Sequence, residues 1–246
     1  MRFWILSAIY SGMLTGIFFV DAGIQNLWVP VALITVVYSI IVVLGVSIIR
    51  LNLFIKSLSS FKTSENEIAL TFDDGPDNEL TLKVLDLLKE YKAKATFFCI
   101  GNKVEDNEPI LKRMLAEGHS IGNHTWEHAN SFPWWSVKRI TDSIAKTDNA
   151  LKAIGIEKCT IFRPPFGVTN NLIAAAIKRS NKKCVGWSIR TKDTCKSIEE
   201  VVDKVKRNIK PGDIVLLHDT NKNILTELKE ILDFCNQKGL KSVAIN

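Results

Sequence analysis

Cysteine is scarce in this sequence, which has five among its 246 residues, the first of them Cys99. An odd and scattered set of cysteines does not have the pattern of a disulfide framework. Free thiols are typical of a reducing compartment, and each thiol is expected to be a small buried side chain. The other four are Cys159, Cys184, Cys195 and Cys235.

The sequence also lacks a contiguous basic block, an internal repeat and a low-complexity segment. Its formal net charge is +6 and its pI is about 9.0. The lysines are nevertheless dispersed beside glutamate and aspartate, as on solvated helix faces. This pattern does not indicate a nucleic-acid partner or a repeat array. A mild attraction to an anionic membrane surface explains the charge more simply.

Charged residues are absent from residues 28–49, and residues 3–20 are almost wholly apolar. A membrane-spanning helix needs roughly 20 apolar residues, with a range down to about 17. We therefore predict two transmembrane helices, over about 3–20 and 28–49. A cleavable signal peptide is the alternative for the first. A helical hairpin is favoured because no small-x-small site ends the first apolar run and the second begins almost at once.

Lysine and arginine are missing from the short connection over residues 21–27. Basic residues flank the other ends of the apolar segments: Arg2, Arg50, Lys56 and Lys62. Because positive residues prefer the cytosolic side of a membrane, both ends of the chain are predicted to lie in the cytosol. The predicted organisation is a hairpin over 1–50, a juxtamembrane linker over 51–63, of which residues 51–61 are expected along the interface, and a catalytic domain over 64–246.

Strand-like and helix-like segments alternate through this last region, about seven times. Such alternation predicts an α/β fold with a parallel sheet and helices outside it, close to a β/α barrel. Functional side chains in this architecture sit at the carboxyl ends of the strands. Polar residues are therefore expected to collect there.

Asp73 and Asp74 end a short apolar strand and precede a Gly-Pro turn. An Asp-rich turn that caps the next helix is the alternative interpretation. His124 and His128 are four residues apart, which on a helical turn would let both grip one metal ion. Two histidines, one carboxylate and a water form a common catalytic zinc site. His119, on a strand, is expected to make a structural hydrogen bond instead.

Three further strand ends carry polar residues, and one of these ends is followed by residues 187–194. Arg163 begins the rigid loop RPPFG at residues 163–167, which is expected to aim its side chain inward. His218 follows the strand over 213–217, across the barrel mouth from the metal candidates.

The motifs TFDDGP, HTWEH, RPPFG and LLHD occur in that order. The region over 67–246 thereby resembles the polysaccharide deacetylase family, with its NodB homology domain, also known as carbohydrate esterase family four. The resemblance does not cover the apolar hairpin. It implies a distorted, incomplete (β/α) barrel of the NodB homology type. It also implies metal-dependent removal of an N-acyl group, usually acetyl, from an amino sugar.

The resemblance assigns seven residues. Its metal ligands match Asp74, His124 and His128, holding zinc, cobalt or nickel, with zinc preferred. The catalytic residues of the family match four positions: Asp73 is the general base, His218 the general acid, Arg163 the partner of the base and Asp193 the partner of the acid. The chemistry agrees: the ion activates water and the amide oxygen, while base and acid move protons. Arg163 would keep Asp73 ionised, and Asp193 would favour the imidazolium of His218.

Two positions depart from the family pattern D-x-x-D-W, because Arg190 replaces the first aspartate and Thr194 the tryptophan. The acyl pocket is therefore either smaller and more polar, for an acyl group other than acetyl, or closed by Trp187 and Leu217. Phe166 replaces a common tyrosine at little expected cost, because the family uses its backbone amide near the oxyanion.

Substrate contacts are predicted for five residues in all: Pro165, Phe166, Trp187, Leu217 and Trp126. The aromatic cluster of Trp126, Phe132, Trp134 and Trp135 follows the metal histidines. It is interpreted as a hydrophobic patch under a loop, a sugar-stacking rim or a membrane-interface contact.

We therefore predict an integral membrane N-deacylase for an amino sugar. A cytosolic barrel would indicate a lipid-linked sugar, whereas an external barrel, the family's habit, would indicate peptidoglycan or a related polymer. The alternatives are a sugar O-acyl esterase and a catalytically silent carbohydrate-binding relative.

Overall fold

The computed structural model describes residues 2–19 and 27–245. The predicted connection over 21–27 therefore lies, except for Leu27, outside the described residues. Helices and strands alternate along most of the described chain. The helices are α1 (Arg2–Phe19), α2 (Trp28–Ser47), α3 (Leu80–Glu90), α4 (Glu108–Ala116), α5 (Val137–Ala153), α6 (Asn171–Arg179), α7 (Ile198–Asn208) and α8 (Ile224–Gln237). The strands are β1 (Ser57–Leu58), β2 (Glu67–Asp73), β3 (Ala95–Cys99), β4 (Ser120–Asn123), β5 (Ile161–Phe162), β6 (Lys183–Val185), β7 (Ile189–Arg190), β8 (Ile214–His218) and β9 (Lys241–Ser242).

Eight of the strands form one curled sheet in the order β1-β6-β5-β4-β3-β2-β8-β7, and every pair of neighbours is parallel. β9 pairs with the start of β2. Among the described strands, β1 and β7 have no partner on their outer sides, so the sheet curls without closing. The predicted α/β fold, a distorted and incomplete (β/α) barrel, is confirmed.

Strand β2 runs through the centre of the sheet and is buried over almost all of its length. Leu70 and Phe72 pack in one apolar cluster with residues of α3 and α8. Thr71 and Asp73 point to the opposite face, because neighbouring residues on a strand alternate. Both contact Arg163 there. The alternation therefore sends a carboxylate to the inner side of the barrel.

The segment before β2 contributes to the sheet. Ser57–Leu58 forms β1 and pairs with β6, and Ser60 bridges to Asp213. Ile49 is buried in the barrel core. The sequence analysis expects residues 51–61 along a membrane interface, whereas the structure pairs part of this segment with the sheet. A two-residue edge strand has too short a pattern to be seen in the sequence.

Helices α1 and α2 pack against each other in antiparallel orientation. The Ser7 and Tyr38 hydroxyls are 3.0 Å apart, those of Tyr10 and Thr35 are 3.1 Å apart, and the two tyrosine rings stack at 4.2 Å. Within the described residues, α2 alone is long and apolar enough to cross a membrane, by length and composition. The membrane hairpin itself stays a prediction.

The end of α2 is fixed to the barrel. Thr169 donates its backbone N–H to the carbonyl of Val46 at 3.1 Å and its hydroxyl to the carbonyl of Gly45 at 3.2 Å. Thr169 is almost fully buried. The last turn of α2 therefore sits beside the loop that follows β5.

Candidate active site

The carboxyl ends of four strands bring the predicted polar residues together. Asp73 ends β2 and lies directly beside His218, the last residue of β8. His124 follows β4 and Arg163 follows β5, at the point where Asn123 and Phe162 pair. Because all these strands are parallel, their ends meet at one edge of the sheet. Motifs far apart in sequence thus form one site.

Asp74, His124 and His128 form a candidate metal centre. Their potential ligand atoms lie within 4.8 Å of one another. Oδ1 of Asp74 is 3.5 Å from Nε2 of His124 and 3.5 Å from Nε2 of His128. This carboxylate oxygen is buried and has no hydrogen-bond partner among the described residues. A buried anionic oxygen facing two imidazole nitrogens is a donor set that fits a divalent cation such as zinc.

Asp74 reaches this centre because its backbone is left-handed, with φ of 72°. That conformation breaks the strand alternation, so that Asp73 and Asp74 both face the same site. Oδ2 of Asp73 is 3.8 Å from Nε2 of His124. The expectation that the turn would relax the alternation is confirmed.

The helical turn predicted for the two histidines is wrong. Thr125 and His128 have positive φ values of 69° and 46°. The side-chain oxygen of Asn123 accepts a hydrogen bond from the backbone N–H of Thr125 at 2.9 Å. The hydroxyl of Thr125 accepts one from the backbone N–H of His128 at 3.2 Å. These local side-chain bonds replace helical ones. The histidines nevertheless converge, since Nδ1 of His124 bonds to the carbonyl of Arg163 at 2.7 Å and leaves Nε2 free for the centre.

Protonation favours ligation at two of these positions. Burial raises the pKa of Asp74, but His124, His128 and His218 outweigh this and hold the pKa well below its usual range. Burial, followed by the charge of His124, lowers the pKa of His128. An ionised carboxylate and a neutral imidazole are the forms that bind metals.

Arg163 holds the candidate base from inside the barrel. Its Nη1 bonds to Oδ1 of Asp73 at 2.6 Å and to the Thr71 hydroxyl at 2.9 Å. The guanidinium also donates to the carbonyls of Val185 at 3.3 Å and Gly186 at 2.8 Å. Burial lowers the pKa of Arg163 and Asp73 opposes this. A fully buried guanidinium stays charged in such a setting because four of its five N–H donors have acceptors and a carboxylate lies beside it.

The candidate acid, His218, has its own carboxylate. Nδ1 of His218 is 2.8 Å from Oδ1 of Asp193, and Oδ2 of Asp193 accepts from the His218 backbone N–H at 2.8 Å. Thr191 donates its hydroxyl to Asp193 at 3.0 Å. Burial lowers the pKa of His218, but Asp193 outweighs it and raises the pKa to about 9. Nε2 lies 3.9 Å from Oδ2 of Asp74, facing the candidate metal centre.

These groups open into a cleft of about 440 Å³. Phe166 and Trp187, two of the predicted substrate contacts, line it. Leu217 does not line the cleft, since it is fully buried in the apolar cluster that contains Leu70 and Phe72. Leu216 lines the cleft instead. The reason is alternation: His218 faces the cleft, so the residue two positions earlier shares its face.

Pro165 and Trp126 are also outside the cleft lining given by the described residues. Pro165 is buried and begins the tight turn Pro165–Gly167. Trp126 packs close to Gly101, and Nζ of Lys146 lies 3.9 Å above its ring. The predicted substrate contacts of Pro165 and Trp126 therefore stay predictions.

The positions that depart from the family pattern lie on the cleft wall: Arg190 and Thr194 line it together with Lys192 and Cys195. Cys195 is exposed, so it differs from the small buried side chain expected of each cysteine. In the aromatic cluster, Phe132 and Trp135 are buried, as a patch under a loop would be, whereas Trp134 is 86% exposed.

The sequence analysis gives no role to two residues around the turn after β2. Nζ of Lys103 donates to the carbonyl of Asp74 at 2.7 Å. Asp219 is fully buried beneath Gly75 and accepts from the Thr81 hydroxyl at 2.5 Å. Burial raises the pKa of Asp219 to about 7. The position of Asp219, directly after His218 at a strand end, is the sequence feature that could have pointed to it.

Comparison with known proteins agrees with this geometry. The family model described as polysaccharide deacetylase matches residues 61–185, about half of the chain. The chain belongs to the polysaccharide deacetylase family. As a member, it is a hydrolase of carbon–nitrogen bonds in amino sugars.

Similar proteins of this family share both sequence and fold with the chain. A peptidoglycan-N-acetylglucosamine deacetylase of Bacillus cereus is 37% identical over 192 residues, which are 74% of this chain and 88% of that protein. The deacetylase PgdA of Listeria monocytogenes is 35% identical, but the match covers only 39% of its length. The structure of the peptidoglycan deacetylase PdaC from Bacillus subtilis superposes with a TM-score of 0.69 at 31% identity, covering 75% of this chain and 90% of that one.

Proposed function

We propose that the protein is a metal-dependent N-deacetylase of amino sugars that is tethered to a membrane by its N-terminal helices. The observation that carries the proposal is that Asp73 and His218 both border the three candidate ligands, with Oδ2 of Asp73 3.8 Å from Nε2 of His124 and Nε2 of His218 3.9 Å from Oδ2 of Asp74. The apolar helix α2, fixed to the barrel at Thr169, supports the tether. The similar peptidoglycan deacetylases support an acetylated amino sugar as substrate.

Each side chain has a separate task. Asp74, His124 and His128 would hold zinc, or cobalt or nickel in its place. When bound, the ion supplies Lewis-acid polarisation of the amide and a more acidic water. Asp73 accepts the proton of the attacking water, and Arg163 keeps that carboxylate in place. His218, protonated and oriented by Asp193, donates a proton to the departing amine.

The test of this function uses purified protein loaded with zinc. Acetylated chitooligosaccharides and peptidoglycan fragments should each release acetate and gain one free amine per acetate. Matched sugars that carry O-acetyl groups should be hydrolysed much more slowly. Faster release from the O-acetyl sugars would indicate an esterase, and sugar binding without any release would indicate a carbohydrate-binding relative.

The three candidate metal ligands give a prediction that a measurement of zinc affinity can test. Replacing His128 by Ala removes one of the three candidate ligands, so zinc affinity should fall by more than about 100-fold, beyond the 10–100-fold typical of outer-shell changes. Calorimetric titration of the metal-free protein measures this. His218→Asn is the matched control, since it also removes an imidazole from the cleft but should bind zinc with near-normal affinity. Equal affinities for His128→Ala and the unmodified protein would exclude this ligand set.

The His218–Asp193 pair gives a pH prediction. The general acid must be protonated, so activity that depends on it is present below the pKa of about 9 and is lost as pH rises through that value. In Asp193→Asn the carboxylate that raises this pKa is gone, so the basic limb of kcat/KM should move to lower pH. Profiles between about pH 6 and 10 measure the shift. A basic limb at an unchanged pH would show that Asp193 does not set the pKa of the general acid.

A further inference from the structure

A second groove, of about 380 Å³, adjoins the active-site cleft. Trp187 and Arg190 line both, so the two spaces share a wall. The far side of the groove is formed by residues 47–50, at the end of α2, and by Lys204 of α7. Arg190 therefore borders both the cleft with the candidate metal centre and the groove at the end of the apolar helix.

The groove is positively charged. Three cations line it, Arg50, Arg190 and Lys204, and no acidic residue of the described chain does. Within the described residues none of the three forms an ion pair, whereas other basic residues of α7 are paired with carboxylates: Lys206 with Glu230 and Arg207 with Asp203.

The environment of Lys204 agrees with this excess of positive charge. Burial, followed by the charges of Lys192 and Arg190, lowers the pKa of Lys204. Like charges that converge without a counter-ion repel one another, and they create a local potential that attracts anions. This arrangement is therefore suited to an anionic group of a ligand.

The groove opens where α2 leaves the barrel. Ile49, two residues after α2, is buried in the barrel core, and Thr169 bonds to the carbonyls of Gly45 and Val46. If α2 spans a bilayer, its last turn lies at the headgroup level. The cations then lie between the membrane surface and the cleft.

We propose that Arg50, Arg190 and Lys204 bind the phosphate of a lipid-linked amino sugar, whose sugar occupies the adjoining cleft. This inference rests on the proposed function, because it names the substrate class of the same site. A phosphate accepts charge-assisted hydrogen bonds from several cations at once. A lipid tail on that phosphate continues toward α2, whereas a neutral soluble polysaccharide leaves the three cations without a partner.

The test compares two probes in phosphatidylcholine vesicles with the full chain. One is N-acetylglucosamine linked to a short polyprenyl chain through diphosphate, and the other is the uncharged glycoside of the same chain. Arg50→Ala and Lys204→Ala should each lose about tenfold in affinity and in kcat/KM for the diphosphate probe, since each removes one charge-assisted contact. Both variants should keep their values for the glycoside. Lys206→Ala, the same change on the same helix outside the groove, should match the unmodified protein.

The outcomes separate the two proposals. Equal losses on both probes, or no loss on either, would overturn the phosphate site. Losses that appear only when phosphatidylglycerol is added would assign the cations to lipid headgroups and overturn it as well. Absence of acetate release from both probes would count against the deacetylase. A selective loss of diphosphate affinity would still support the phosphate site in that case, because binding is measured independently of turnover.

Discussion

Replacing Asp73 by Asn should lower kcat by about 10²- to 10⁴-fold, the usual contribution of a positioned general base. Asparagine has the same shape and still offers an oxygen to Nη1 of Arg163. In the unmodified protein this nitrogen lies 2.6 Å from Oδ1 of Asp73. It cannot accept the proton of the attacking water. The loss should therefore appear in kcat, while KM and zinc affinity change little. Acetate release at saturating substrate measures it.

The control for this variant is Asp142→Asn, which removes a carboxylate from the exposed pair with Lys138. It should keep full activity. Asp73→Asn that retains activity within a few-fold of the unmodified protein would refute the assignment of Asp73. A large loss of zinc affinity in this variant would instead move Asp73 into the metal-ligand set.

Replacing Arg163 by Met should lower the free energy of unfolding by about 3–5 kcal/mol, as expected when one partner of a buried ion pair is removed. The Asp73 carboxylate, which is almost fully buried, loses its counter-charge. The carbonyls of Val185 and Gly186 lose their donors as well. Urea unfolding of the detergent-solubilised chain measures the change, and activity should fall with it because the base is no longer held.

A double variant separates charge from packing. Arg163→Met with Asp73→Asn leaves no unpaired charge, so part of the lost stability should return while activity stays low. Arg113→Met is the surface control, since Arg113 pairs with Asp86 and Glu117 near solvent and should cost less than about 1 kcal/mol. A double variant less stable than Arg163→Met alone would argue against an unpaired carboxylate as the cause.

The sequence predicted the strand ends well because that information is local. An apolar run followed by Asp73 and a Gly-Pro turn fixes both the strand and its end. In parallel β/α architectures such ends converge, so the meeting of Asp73 with His218 needed no further information. The family motifs then allowed each of these residues to be given a chemical role.

Other features depended on information that the local pattern does not carry. The conformation of the two histidines is set by the side-chain hydrogen bonds of Asn123 and Thr125, which compete with a helical turn. Leu216 and Leu217 are neighbours in one apolar run, and only the register of β8, which ends at His218, shows that Leu216 shares the cleft face of His218. The groove beside α2 combines Arg50, Arg190 and Lys204 from distant segments, so only the tertiary structure brings it into view.

The edge strand β1 changes how a version of the enzyme without its N-terminal helices should be designed. A protein cut at Ser64, where the sequence places the start of the domain, would lose β1 and the buried Ile49. The edge of β6 would then be free to pair with other chains, a recognised cause of aggregation. A cut inside the last turn of α2, near Gly45, would keep the edge covered and the barrel core filled. For crystallisation or ligand screening, the boundary of the folding unit is therefore upstream of the boundary of the family motif.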